Sequence, residues 1–431
     1  MNQREFKKAM LRGQGRCILA CRKDPTRYRA AVMWGCSHLL AYDPQCEDSR
    51  AWYLCELIRC YPDATPFREA AIQALFRQST KGWLQRQLEE LLYDLAVDSD
   101  RIAEEALWAK YAEMLSALRA RKLRPRRPAD DLRDSFVSLA ITLCPKEKDA
   151  LRIAADMGRL AAESPVYSVE DYDPFFWFIR QNKHLTALRK LARTNPFAAR
   201  FLNESEKAEK ESAAQQTERR ELQRTPASYQ IARYAEEDDF RIHATQYASE
   251  TDPQRRADLL HAFTLYRSYP FDPDPILLDA LSDYAPLRAE AWDSLHLVRH
   301  PKVRAFALEH LDAAPVDLLP VLITNYETDD RPLVEGLLAR IPRGKAGDDV
   351  LHAIGMSVLD LRDIHLKAPA WLLRYFYDVD RCSMCREYFV REMGRRRLLT
   401  KDVLLECLYD ANSQTRQYIL ETRRAPFVPD P

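Results

Sequence analysis

Nearly every segment of this chain repeats its apolar residues with the 3.6-residue period of an α-helix, and the alternation expected of strands is almost missing. The stretch from Thr65 to Phe76 shows the logic. Phe67, Ala70, Ala71, Ala74 and Leu75 fall at i, i+3, i+4, i+7 and i+8, a single apolar stripe. Thr65 is placed to cap the amino end, and Pro66 suits the first turn, where its missing N–H costs nothing. The segment Pro301 to Leu311 repeats the plan with Val303, Phe306, Ala307 and Leu311. Glycine points the same way, with only 10 in 431 residues, where average usage of about 7% would supply roughly 30. Tight turns and phosphate-cradling loops draw on residues that tolerate positive φ. No G-x-G-x-x-G or G-x-x-x-x-G-K occurs, so dinucleotide and P-loop folds are disfavoured. The expected fold class is all-α.

Prolines recur at the breaks between stripes: Pro44, Pro62, Pro145, Pro174, Pro196, Pro270, Pro320 and Pro342. Helices of about 10 to 18 residues joined by short Pro- or Asp-containing turns are what antiparallel helical hairpins require. In four places an aromatic or aliphatic residue precedes Arg, and Val or Ala follows three positions later. They are Tyr28-Arg29 with Val32, Phe67-Arg68 with Ala71, Leu287-Arg288 with Ala291, and Val303-Arg304 with Ala307. Pro25, Pro66, Pro286 and Pro301 lie just upstream, and the first two Arg are 39 residues apart, within the period of two-helix units. Here the chain resembles the HEAT-repeat family, most clearly over 24–96 and 252–341. The resemblance implies an irregular α-solenoid of stacked antiparallel helical hairpins. An arginine at a helix start opposes the helix dipole, so each Arg of the pattern needs a carboxylate. Asp24, Asp63 and Asp283 are the nearest candidates, which makes the Arg a structural ladder and not a ligand surface.

One segment breaks the rhythm. From Asn203 to Arg224 the only large apolar residue is Leu222, while Glu206–Lys210 and Lys207–Glu211 can pair along an exposed helix. The expected organisation is therefore an N-terminal hairpin array over 1–202, a charged exposed helix or linker over 203–226, and a C-terminal HEAT-like array over 227–431.

Basic and acidic residues balance, 65 against 65. The chain thus has no global field to attract nucleic acid or an anionic membrane. No apolar run approaches the roughly 18 residues of a spanning helix, and the first residues read as a helix and not as a signal peptide. A cytoplasmic location is expected, with no membrane partner. Ten cysteines, six of them between Cys17 and Cys60, then read as reduced, packed thiols. Cys382 and Cys385 form the one C-x-x-C. It has no histidine close in sequence, with Cys407 as the nearest further ligand, so the pair reads as two packed thiols. No metal and no cofactor are expected.

Among candidate sites, the stretch Arg119 to Arg127 is the strongest local charge signal. Arg119, Arg121, Lys122, Arg124, Arg126 and Arg127 stand there with no acid, either as a solvated turn between helices or as a phosphate-contacting loop. A weaker basic cluster runs from Arg391 to Lys401 and includes Glu392. His296, His300 and His310 fall on neighbouring helices but form no metal motif. Four consecutive aromatics, Phe175 to Phe178, wrap around a helix and predict complete burial or, failing that, an exposed apolar face that marks a partner site. No catalytic constellation emerges. The leading expectation is a non-catalytic binding or scaffold protein whose solenoid surface holds a protein or peptide partner. The HEAT resemblance also admits a nucleic-acid binder related to DNA-repair glycosylases. In that reading a basic groove with a carboxylate is lined by Trp83, Trp108 or Trp177.

Overall fold

The computed structural model describes residues 1–47, 49–77, 82–120, 131–163, 173–222, 227–342 and 344–424. Among the described residues are 25 α-helices and no strand. None of these helices is long and apolar enough to cross a membrane.

Local chemistry explains where many helices begin. Asp24 precedes Pro25 and accepts the Arg27 N–H at 3.3 Å, and Asp252 precedes Pro253 and accepts the Arg255 N–H at 2.9 Å. His300 does the same before Pro301, its Nδ1 accepting from the Lys302 N–H at 3.2 Å. A capping side chain satisfies one of the orphan donors of the first turn, and proline supplies none that needs satisfying. At Thr65–Leu75 the expectation was off by a step. Thr65 is the first helical residue, and Asp63 accepts its N–H at 2.9 Å. The stripe itself is as expected, with Phe67, Ala71, Ala74 and Leu75 buried.

The described chain forms two compact units, residues Met1–Leu222 with Leu405–Arg416, and residues Gln223–Leu404 with Gln417–Pro431. In the first, Gly82–Val97 packs on its sequence neighbours Thr65–Leu75 and Arg101–Ala120. It also packs on the next but one to either side, Ala51–Ile58 and Asp131–Leu143. Phe6, Phe67, Phe136, Phe175 and Phe201 are fully buried in one core, each contributing about 1.5–3 kcal/mol by leaving water. Residues 405–416 close this unit through a peptide hydrogen bond from Ala411 N–H to Gly13 C=O at 2.8 Å. Gly13, at φ +69°, leaves room there for Ala411 and for the buried Arg50 guanidinium.

The charged segment that begins at Asn203 continues the helix Pro196–Leu222. This helix runs along Glu147–Glu163 and buries Ala198, Phe201, Leu202, Ser205 and Ala208. The facing helix offers Ala150, Ala154, Gly158 and Ala161, a stripe of small side chains that lets the backbones close in. A Cβ at Gly158 would stand 1.9 Å from the Phe197 carbonyl oxygen. Glu206, expected to pair with Lys210, has a partner on another helix, and the Glu211 side chain lies outside the described residues. Glu206 meets Arg189 at 2.8 Å and Glu209 meets Arg180, so both reach across to other helices. Residues 223–226 lie outside the described residues.

In the second unit Phe240, Tyr247, Phe263 and Tyr269 form an aromatic core, with Phe263 5.1 Å from both Phe240 and Tyr269. The helix Lys345–Asp360 packs on Leu318–Thr324, Ala370–Val379 and Ser383–Arg395. It carries the residues on which the candidate site turns.

Candidate functional site

Of the basic stretch, Arg119 ends the helix Arg101–Ala120 and lies 3.4 Å from Glu163. Arg121, Lys122, Arg124, Arg126 and Arg127 lie outside the described residues. The weaker cluster is largely consumed by structure. Arg391 pairs with Glu387, Arg395 with Glu392 at 2.7 Å, and Arg396 donates to the Ala368 carbonyl at 2.5 Å.

The recurrent arginines reach farther than expected. Arg68 meets Asp100 at 2.9 Å, 32 residues on, and Arg304 meets Asp330 through two hydrogen bonds of 2.5 and 2.8 Å, 26 residues on. Arg256, which the sequence pattern missed, meets Asp279 at 2.6 Å, 23 residues on. Each arginine follows a proline in the first turn of its helix, and each aspartate lies beyond the next turn. Asp24 and Asp63 cap helices instead, and Arg288 donates to the Ser282 carbonyl at 2.6 Å. Burial pushes the Asp330 carboxyl upward, but Arg304 and the Glu327 N–H outweigh it and hold the group below the usual carboxylate range.

The histidines named above are each engaged locally. His300 caps its helix, His310 lies against Phe306 with ring centroids 4.4 Å apart, and His296 bonds the Asp293 carbonyl. The aromatic run is only partly buried. Phe175 and Phe176 enter the core, whereas Trp177 is 58% exposed, because a helix at the unit's surface has an outward face.

Trp83 lines a cleft of about 490 Å³ in the first unit together with Trp52, Arg50, Arg86 and Arg416. Its three arginines face Glu47, Glu90 and Asp94, so the cleft is charge-balanced and not basic. Arg50 is bonded to Glu47 at 3.1 Å and Arg86 to Glu90 at 2.9 Å. Arg416 lies 3.5 Å over the Trp52 ring and donates to the carbonyls of Asp410 and Ala411.

The second unit holds a cleft of about 380 Å³ with a different character. One wall is the end of Lys345–Asp360, where Met356 and Asp360 share a face at i and i+4. The other is Tyr388, Glu392 and Arg395 at i, i+4 and i+7 of Ser383–Arg395. Tyr266 forms the rim. Tyr266, Met356 and Tyr388 are 40%, 37% and 40% exposed. Tyr266 sits at φ +59°, a left-handed conformation that costs a bulky side chain about 1–2 kcal/mol. The Arg233 guanidinium lies 5.3 Å from its ring. The ionisable lining is Asp360, Asp363 and Glu392 against Arg362 and Arg395, one negative charge in excess. Arg362 is bonded to Asp363 at 3.1 Å and Arg395 to Glu392 at 2.7 Å. Burial pushes the Asp360 carboxyl up to about 6, and the Asp363 charge adds to this against Arg362.

Cys382 and Cys385 lie in the same unit. Cys382 precedes the helix Ser383–Arg395 and Cys385 is in its first turn, and both are buried. The fold supplies the histidine that the sequence did not. His352, 30 residues upstream of Cys382, offers a ring nitrogen, and that nitrogen and both sulfurs lie within 4.8 Å of one another. Cys407 belongs to the first unit and is not in this group. Among the described residues no disulfide is formed. Burial raises the thiols of Cys21, Cys36, Cys55 and Cys144 to about 12, which keeps them protonated and inert near neutral pH.

No family model, curated protein or solved structure matches the chain. The site must therefore be read from its own chemistry.

Proposed function

We propose that this chain is a non-catalytic binding protein, an irregular HEAT-like array of helical hairpins whose second unit holds a protein or peptide partner. The ladder of Arg68–Asp100, Arg256–Asp279 and Arg304–Asp330 supports the repeat reading, since each pair ties the start of one helix to a residue 23 to 32 positions on, at the end of the following helix or just before the next. The binding reading rests on one observation: Tyr266, Met356 and Tyr388 stand exposed around a cleft. Aromatic residues, Met and Arg are the types enriched at protein interfaces. A bulky residue held at positive φ is a strain that surrounding structure must offset, and such strain clusters at binding sites.

The chemistry of the cleft selects its occupant. The apolar lining of Leu265, Leu297, Val358 and Leu366 takes an aliphatic or aromatic side chain, and the excess charge at Asp360 takes an adjacent Lys or Arg. The partner is a segment of that composition, and the cleft's one excess negative charge repels the phosphate backbone of a nucleic-acid strand. The test is selection of peptides from a displayed random library on the full chain, followed by anisotropy titration of the winners. Winners should carry an apolar residue flanked by a cation, and Tyr388→Ala should weaken them about tenfold or more. Selection that yields only peptides indifferent to Tyr388→Ala and to Asp360→Asn would remove the cleft from the account.

A further inference from the structure

We propose that His352, Cys382 and Cys385 form a zinc site in the second unit. The two sulfurs and the imidazole nitrogen lie within 4.8 Å of one another, close enough to converge on an ion with Zn–S distances of about 2.3 Å and a Zn–N distance of about 2.0 Å. The three ligands come from two packed helices. Cys382 and Cys385 sit at the start of Ser383–Arg395, and the i, i+3 spacing turns both sulfurs to one side. The amino end of that helix favours negative charge, which suits a pair of metal-bound thiolates. His352 projects from Lys345–Asp360, which packs on that helix.

Asp380 supplies the independent observation. It is 1% exposed. Its Oδ1 accepts the Cys382 N–H at 2.8 Å and lies 3.4 Å from His352 Nδ1. Its Oδ2 is buried with no hydrogen-bond partner. A carboxylate beside Nδ1 favours the tautomer whose lone pair is on Nε2, and this carboxylate–histidine relay stands behind most zinc-bound histidines. A buried carboxylate with an orphan oxygen is costly in a metal-free core. It is well placed against the positive charge that zinc would bring to the imidazole. Gly355 keeps the space open, since a Cβ there would come within 3.2 Å of Asp380 Oδ2. Two thiolates and an imidazole are the donors that zinc prefers among divalent ions. Three protein ligands leave the fourth position to water.

The site does not depend on the cleft reading, and its test does not use a peptide. The untagged full chain, grown with zinc and purified without chelators, should carry about one zinc per chain by plasma mass spectrometry. Replacement by cobalt(II) should give intense visible bands of a tetrahedral centre and sulfur-to-cobalt charge transfer in the near ultraviolet. By competition with a chromophoric chelator, Cys382→Ser and His352→Ala should lower affinity about 100-fold or more, and Asp380→Asn about 10- to 100-fold. His352→Cys should retain zinc. The wild-type cobalt spectrum is independent of whether any variant folds. A chain purified without zinc, a cobalt complex without thiolate bands, or a metal-free Cys382–Cys385 disulfide in the purified chain would overturn the proposal.

Discussion

Replacing Arg304 with Ala tests the idea that the recurrent arginines hold hairpins together. Arg304 makes two hydrogen bonds to Asp330, a contact to Glu327 at 3.2 Å, and a bond to the Asn325 carbonyl at 3.2 Å. Its side chain is 19% exposed and that of Asp330 only 8%, so solvent screens the pair weakly. Removing one partner of a buried pair costs about 3–5 kcal/mol because the other charge is left uncompensated. The remaining exposure and the Glu327 N–H, which still bonds Asp330 at 2.7 Å, bring the expected loss to about 2–3 kcal/mol. Urea unfolding read by hydrogen exchange in peptides spanning 301–340 is the assay, since it reports the second unit locally. The pair also predicts a pH signature. Asp330 is held below the ordinary carboxylate value in the folded state. Its contribution is thus present above that ordinary value and is lost as pH falls through the folded one. Arg304→Ala should remove this acid-range slope. A loss under about 0.5 kcal/mol, within the range of a solvated surface pair, would refute the ladder.

Glu89, fully buried with only Gln85 as a hydrogen-bond partner on one oxygen at 2.7 Å, is raised from 4.5 to about 8 by burial. Glu89's contribution to the first unit's stability should be complete below 4.5 and be lost as pH rises towards 8, by up to about 1.4 kcal/mol per pH unit, and Glu89→Gln should remove that part of the slope in equilibrium denaturation. Gly158→Ala should cost about 2 kcal/mol or more in thermal unfolding, because its Cβ meets the Phe197 carbonyl and overpacking outweighs the better helix propensity. An unchanged melting temperature would show that the two helices separate freely. Tyr266→Gly should leave stability equal or higher by about 1 kcal/mol, since it relieves the positive φ, while weakening peptide capture. A destabilised variant would assign Tyr266 to the core and not to the rim.

The helical class was legible because period and glycine scarcity are local signals, and helix starts such as Asp24-Pro25 and Asp252-Pro253 advertise themselves. What depended on packing was not. Arg68 and Arg304 stood out in the sequence, yet their partners Asp100 and Asp330 lie one hairpin away, where no local rule points. Arg256 was missed because an Arg, not an apolar residue, precedes it. The return of residues 405–416 to the first unit has no sequence signal, nor does the left-handed backbone at Tyr266. His352 could be suspected only by setting it against a cysteine pair 30 residues on, a juxtaposition that the packing of Lys345–Asp360 on Ser383–Arg395 creates. The cleft shows its register only in hindsight, as Met356 with Asp360 and Tyr388 with Glu392 each fall at i and i+4.

The central claim, that the second unit's cleft holds a peptide segment through Asp360, is tested most directly by a double-mutant cycle. Affinities of a selected peptide and its Lys→Ala or Arg→Ala form are measured on the wild-type chain and on Asp360→Asn. The account predicts a coupling of about 1 kcal/mol or more near neutral pH. That coupling should fade as Asp360 protonates below its value of about 6. Coupling indistinguishable from zero near neutral pH, with tight binding retained in Asp360→Asn, would contradict it.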